Sequence, residues 1–139
     1  MSSKQQKRLF IIDGYATLYR AHYALIRNPL TNTAGTPTSA VFGFANQVFQ
    51  LIDDEKPDYL VAAFDSKGKN FRHELYTDYK ANRSEMPDEI QTQLPYLWEL
   101  LEAMNIPILR VDGVEADDII GTVAKMCDNE NLQCNIVSG

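Results

Sequence analysis

No apolar run in this 139-residue chain approaches the ~20 residues of a membrane-spanning helix. The polar, basic start, Met1 to Arg8, leads straight into a short apolar segment and not into the apolar core of a signal peptide, so no secretory signal is expected. Cysteine is scarce: Cys127 and Cys134 have no metal-ligand spacing and are expected to be free thiols in a reducing cytoplasm. Histidine is equally sparse, and His22 and His73 stand apart, so no histidine or cysteine cluster in the sequence points to a metal centre and each histidine is expected to be a surface or core residue. Basic residues are outnumbered, 13 Lys and Arg against 19 Asp and Glu, for a net charge of −6. That balance argues against an indiscriminately basic nucleic-acid binder and leaves room for a local basic patch. There are no internal repeats and no low-complexity tracts.

What is present suits one globular domain over residues 1–139, with 45% hydrophobic and 23% charged residues. Leu9-Phe10-Ile11-Ile12 and Tyr59-Leu60-Val61-Ala62-Ala63-Phe64 are continuous apolar runs, the pattern of strands buried on both faces. Pro107 to Val111 and Leu132 to Val137 are predicted as further strands. Helical spacing is predicted from Tyr15 to Leu25, then from about Thr38 or Ser39 to Asp54 with Val41, Phe44, Ala45, Val48 and Ile52 on one face. Another helix carries Ile90, Leu94, Leu97, Trp98, Leu101 and Met104, with Pro95 expected to kink or divide it, and the last runs from Glu115 to about Asn129. Strands alternating with helices indicate an α/β fold with a mainly parallel sheet. No helix follows the fourth strand, so a fragment truncated at its C-terminal side is expected.

The acids carry the chemistry. In a parallel α/β sheet every strand's carboxyl end points to one edge, where ligands bind. Asp13 follows the first strand, Asp65 the second, and Glu115, Asp117 and Asp118 the third. Glu115 and Asp118 share a helical face, and Asp117 joins them if Glu115 takes a capping geometry. Acids in a first helical turn also serve simply as caps, and Asp-Gly is a routine turn. Five carboxylates at one edge repel one another unless a cation intervenes, so hard divalent ions with oxygen ligands, Mg²⁺ or Mn²⁺, are expected. A pair of such ions suits phosphodiester hydrolysis, activating water and stabilising the attacking and leaving oxygens about 3.5–4 Å apart.

Between Lys67 and Arg83 the chain holds Lys67, Lys69, Arg72, Lys80 and Arg83 against only Glu74 and Asp78, interleaved with Phe71, Tyr76 and Tyr79. Cations neutralise phosphates and aromatics stack on unpaired bases, which points to single-stranded nucleic acid. A solvated basic loop with core aromatics is the plainer alternative. Arg20, on the first helix, either faces the same crevice or lies on the surface.

Several stretches, in this order, match one family: Ile12-Asp13-Gly14, Tyr19-Arg20-Ala21, Val41-Phe42-Gly43-Phe44, Phe64-Asp65, Phe71-Arg72-His73-Glu74, Tyr79-Lys80-Ala81-Asn82-Arg83 and Gly113-Val114-Glu115-Ala116-Asp117-Asp118. With them the chain resembles the N-terminal 5′ nuclease domain of bacterial DNA polymerase I, in the flap-endonuclease superfamily with its PIN-like core. The resemblance implies metal-dependent 5′ to 3′ exonuclease and flap cleavage of DNA in primer removal and repair, within a larger polymerase. Asp13, Asp65, Glu115, Asp117 and Asp118 would hold the metals directly or through water. Arg20, Lys80 and Arg83 would grip the scissile phosphate. An arch over about residues 67–87 would carry Lys67, Lys69, Tyr76 and Tyr79 toward DNA, with Phe71 and Arg72 shaping its base.

Two departures stand out. Tyr15 occupies a position where the family has a small polar residue or His, and His22-Tyr23 replaces Phe-His. The family also continues past the fourth strand into further metal ligands and a helical duplex-binding module, so the 139 residues alone are expected to cleave weakly or not at all, with an incomplete two-metal site. Other readings remain at this point: a phosphatase acting on small monoesters through the same acids, or a DNA-binding module that does not cut.

Overall fold

A strand enclosed between two layers needs apolar side chains at consecutive positions, and the first apolar run supplies them. The computed structural model describes residues 6–66 and 86–138. Strand β1 (Arg8–Asp13) buries Phe10, Ile11 and Ile12, and helix α1 (Gly14–Ala24) begins at the next residue. Helix α2 (Ser39–Glu55) leads to strand β2 (Tyr59–Ala63). A single turn, α3 (Asp88–Gln91), precedes helix α4 (Leu94–Ala103). Strand β3 (Ile108–Leu109), helix α5 (Ala116–Asn129) and strand β4 (Gln133–Val137) complete the described order.

The sheet is four-stranded in the order β3-β2-β1-β4, and every pairing is parallel. The two-residue side-chain period divides the central strands between two cores. Ile12 and Ala62 face α1, α2 and α4 with Leu18, Phe44, Leu97 and Leu101, whereas Ile11 and Ala63 face α5 with Ala116, Ile119 and Ile120. The sheet is therefore the middle of three layers, the arrangement expected of an α/β fold.

Four details depart from the sequence pattern or refine it. Strand β3 has two residues where five were expected: Pro107 has no amide hydrogen for the ladder, and beyond Leu109 the chain turns away, with Val114 N–H donating to the Val111 carbonyl across Gly113 at φ +78°. Strand β2 ends one residue early, leaving Phe64 buried beyond it. The buried seam of α2 runs through Ala40, Phe44 and Val48 but not Ile52, which is 38% exposed. Successive four-residue steps overshoot a 3.6-residue turn, so that seam rotates away from the core. Pro95 divides its helix as expected, standing in the first turn of α4 after the Thr92-Gln93 break.

Glycine matters where helices meet other elements. A Cβ on Gly14 would lie 2.2 Å from the Phe64 ring, so α1 starts where only a bare backbone fits. A Cβ on Gly43 would lie 2.6 Å from that of Ala21, which is how closely α2 crosses α1.

Candidate functional site

Because the sheet is parallel, the ends of β1, β2 and β3 open on one edge. Asp13 is the last residue of β1 and the N-cap of α1, where its carboxylate accepts from the Ala16 N–H at 3.5 Å. Asp65 stands just beyond β2, and its Oδ1 accepts from the Ala116 N–H at 2.7 Å, at the positive end of α5. Glu115 is the extended N-cap residue of α5, with φ −81° and ψ 155°, yet its side chain makes no capping bond. The helix is therefore capped from another strand, by Asp65. Capping alone does not explain why Glu115 is acidic.

The segment after β2 is sewn to the segment after β3. Phe64 N–H donates to the Leu109 carbonyl at 2.9 Å, Ser66 N–H to the Val114 carbonyl at 3.3 Å, and Gly113 N–H to Ser66 Oγ at 3.1 Å. Together with the Asp65 bond these hold Asp65 and the start of α5 in one rigid unit. Asp117 is exposed in the first turn of α5, Asp118 is half-buried and Glu115 is buried, at 4% exposure.

The field at Asp13 records how near these acids come. Burial holds its pKa above the ordinary carboxylate value; the Ala16 N–H acts in the opposite sense, and the charges of Asp117 and Asp65 push it further up. Asp13, Asp65 and Asp117 thus share one electrostatic neighbourhood although they lie far apart in sequence. Among the described residues, no three Asp, Glu, His or Cys side chains form a group that could hold a metal ion as they stand. In kind, the donors fit a hard divalent cation: all are carboxylate oxygens, and the repulsion felt at Asp13 is what a cation would relieve.

Arg20 is exposed on α1. Lys67, Lys69, Phe71, Arg72, Tyr76, Tyr79, Lys80 and Arg83, with the expected arch, lie outside the described residues apart from the arch's last positions, Met86 and Pro87. A cleft of about 300 Å³ bordered by His22, Pro29, Pro37 and Gln93 has none of the five acids in its lining.

One cluster at the edge escaped the sequence reading. Tyr15 packs edge-on against Phe64, with ring centroids 5.0 Å apart, and Phe64 against Trp98 at 4.8 Å. The Arg110 guanidinium lies 5.1 Å from the Trp98 centroid and faces the Tyr15 hydroxyl. Burial raises the Tyr15 pKa, Arg110 opposes that, and Asp65 adds to it. Tyr15 had stood out only as a departure from the family pattern, and Arg110 only as a residue of a short strand.

The family described as 5′-3′ exonuclease, N-terminal resolvase-like domain, matches residues 8–139. DNA polymerase I of Caldicellulosiruptor bescii is 45% identical over 132 residues, which cover 95% of this chain and 15% of the polymerase. A 5′-3′ exonuclease of Aquifex aeolicus is 39% identical over 132 residues, 95% of this chain and 45% of its own. The solved structure of the T5 5′-exonuclease with bound zinc matches with a TM-score of 0.67 at 19% identity, over 95% of this chain and 49% of its own. A complex of the bacteriophage T5 flap endonuclease with DNA and metal ions gives 0.64 at 20% identity, over 95% and 48%. The structural likeness bears on the fold, a PIN-like core; the chain spans less than half the length of each of these proteins.

Proposed function

Since this chain belongs to the 5′-3′ exonuclease N-terminal resolvase-like family, we propose that it supplies the carboxylate edge of a divalent-metal-dependent 5′ nuclease. The substrate is DNA carrying a 5′ end or flap, the reaction is phosphodiester hydrolysis in primer removal and repair, and the wider protein is a DNA polymerase I working in the cytoplasm. The observation that carries this reading is the shared field of Asp13, Asp65 and Asp117 at the ends of β1 and β2 and the start of α5.

Asp13, Asp65 and Asp117, with Glu115 and Asp118 beside them, would hold Mg²⁺ or Mn²⁺ directly or through water. When bound, such ions activate the nucleophile and neutralise charge at the scissile phosphate. The chain's own part is orientation: the Ala116 N–H fixes Asp65, the first turn of α1 fixes Asp13, and the hydrogen bonds between the segments after β2 and β3 hold Asp65 and the start of α5 together. Arg20, Lys80 and Arg83 are assigned to the scissile phosphate, and Lys67, Lys69, Phe71, Arg72, Tyr76 and Tyr79 to the single strand, on their residue types and the family pattern.

The test is Asp13→Asn and Asp117→Asn in the complete polypeptide, assayed on a 5′-flap DNA with Mg²⁺ or Mn²⁺. Cleavage is expected to fall by about a hundredfold or more while DNA binding is kept. Unchanged cleavage would end the metal reading. Cleavage by residues 1–139 alone is expected to be far below that of the complete polypeptide, because the chain spans only 45% of the exonuclease relative.

A further inference from the structure

Arg110 is exposed, and among the described residues the ion pair is Arg8 with Glu55 and none involves Arg110. It rests instead over Trp98 and faces the Tyr15 hydroxyl. The rings of Tyr15, Phe64 and Trp98 form a continuous edge-to-face series, with centroids 5.0 and 4.8 Å apart and interplanar angles of 77° and 78°. Two of the three rings adjoin the site. Tyr15 is two residues from Asp13, Phe64 adjoins Asp65, and Arg110 follows Leu109, whose carbonyl accepts from the Phe64 N–H at 2.9 Å. Arg110 is therefore set at a defined place beside the carboxylate edge by stacking on an aromatic ring, with no carboxylate among the described residues paired to its guanidinium.

A guanidinium held on an aromatic face, with its planar fork open, is suited to phosphate oxygens. We propose that Arg110, carried on Trp98 and oriented by Tyr15, binds a backbone phosphate of the DNA strand entering the carboxylate edge. This rests on the nuclease reading for the identity of the polyanion. Tyr15 acts through Arg110 as a positioning residue: its hydroxyl faces the guanidinium, and its ring is wedged on Phe64. The group therefore supplies a cation at an edge otherwise dominated by acids, close to where the polyanion must approach them.

The experiment uses the complete polypeptide with Arg110→Ala, Arg110→Lys and Tyr15→Phe. Binding of a labelled 5′-flap oligonucleotide is followed by anisotropy in EDTA across a salt series, and KM and kcat are measured with Mg²⁺. Arg110→Ala is expected to weaken binding about tenfold and to lower the salt slope by about one released counterion. KM should rise by a similar factor with kcat nearly unchanged. Arg110→Lys should restore the slope but not the full affinity, because an ammonium lacks the fork. Tyr15→Phe should fall between wild type and Arg110→Ala, and should add nothing in the Arg110→Ala background. Wild-type affinity and salt slope in Arg110→Ala would overturn the proposal, as would a loss of thermal stability in Arg110→Ala with unchanged DNA binding by Arg110→Lys. The binding arm is read without metal. If the wild type bound the flap but failed to cleave it, the nuclease reading would fall while the role of Arg110 would still be decided.

Discussion

Asp13 does two things at once. It caps α1, and it sits where burial and two neighbouring acids oppose its charge. Its folded pKa lies above the unfolded value, so between the two the native state holds more protons and stability falls as pH rises. In EDTA the wild-type melting temperature is therefore expected to decline as pH rises from 3.8 through the folded pKa. Asp13→Asn keeps a capping amide oxygen, removes the charge and should melt higher than wild type at pH 7, with that slope gone. A melting series against pH for both proteins checks this, and a lower melting point for the Asn variant at neutral pH would reject it. Asp13 itself was legible from its place after an apolar run. Its electrostatic neighbours were not, because Asp65 and Asp117 meet it only through parallel strand pairing.

At the scale of elements, helices here are secured by groups from elsewhere in the chain. Asp65 caps α5, and the fully buried Gln93, between α3 and α4, accepts from the Val41 N–H of α2 at 3.0 Å while donating to the Glu89 carbonyl at 2.7 Å. Thr38, the residue that should cap α2, makes no side-chain cap bond, so Gln93 satisfies a first-turn donor that would otherwise be orphaned. Gln93→Leu keeps the bulk but strands both backbone groups, and should cost about 1–3 kcal/mol in urea denaturation. A change under about 0.5 kcal/mol would show that Gln93 is not needed there. Apolar spacing located α2 and α5 and the division at Pro95. It could not reveal Gln93, since a buried glutamine in a turn has no periodic signature. The excess length assigned to β3 has a similar origin: apolar character continues to Val111, but backbone pairing stops at Leu109.

Taken whole, the molecule is a parallel sheet between two helical layers, with an edge whose acids repel one another in the absence of cations. Binding to the folded form alone stabilises it by mass action, so Mg²⁺ or Mn²⁺ at about 100 times Kd should add roughly 2.7 kcal/mol. The gain should shrink in Asp65→Asn and Asp117→Asn; an equal gain in both variants would move the ion elsewhere. The sequence by itself determined the fold class and the position of five acids after strands, because consecutive apolar residues and helical spacing are local patterns that need no partner to be read, and its ordered motifs carried the resemblance to the family. Only the tertiary structure decided which acids share a field, that Asp65 rather than Glu115 caps α5, and that Tyr15, Phe64, Trp98 and Arg110 form one group. Those are contacts between segments far apart in the chain, brought together by strand register and by the close approach at Gly14, and no local pattern encodes them.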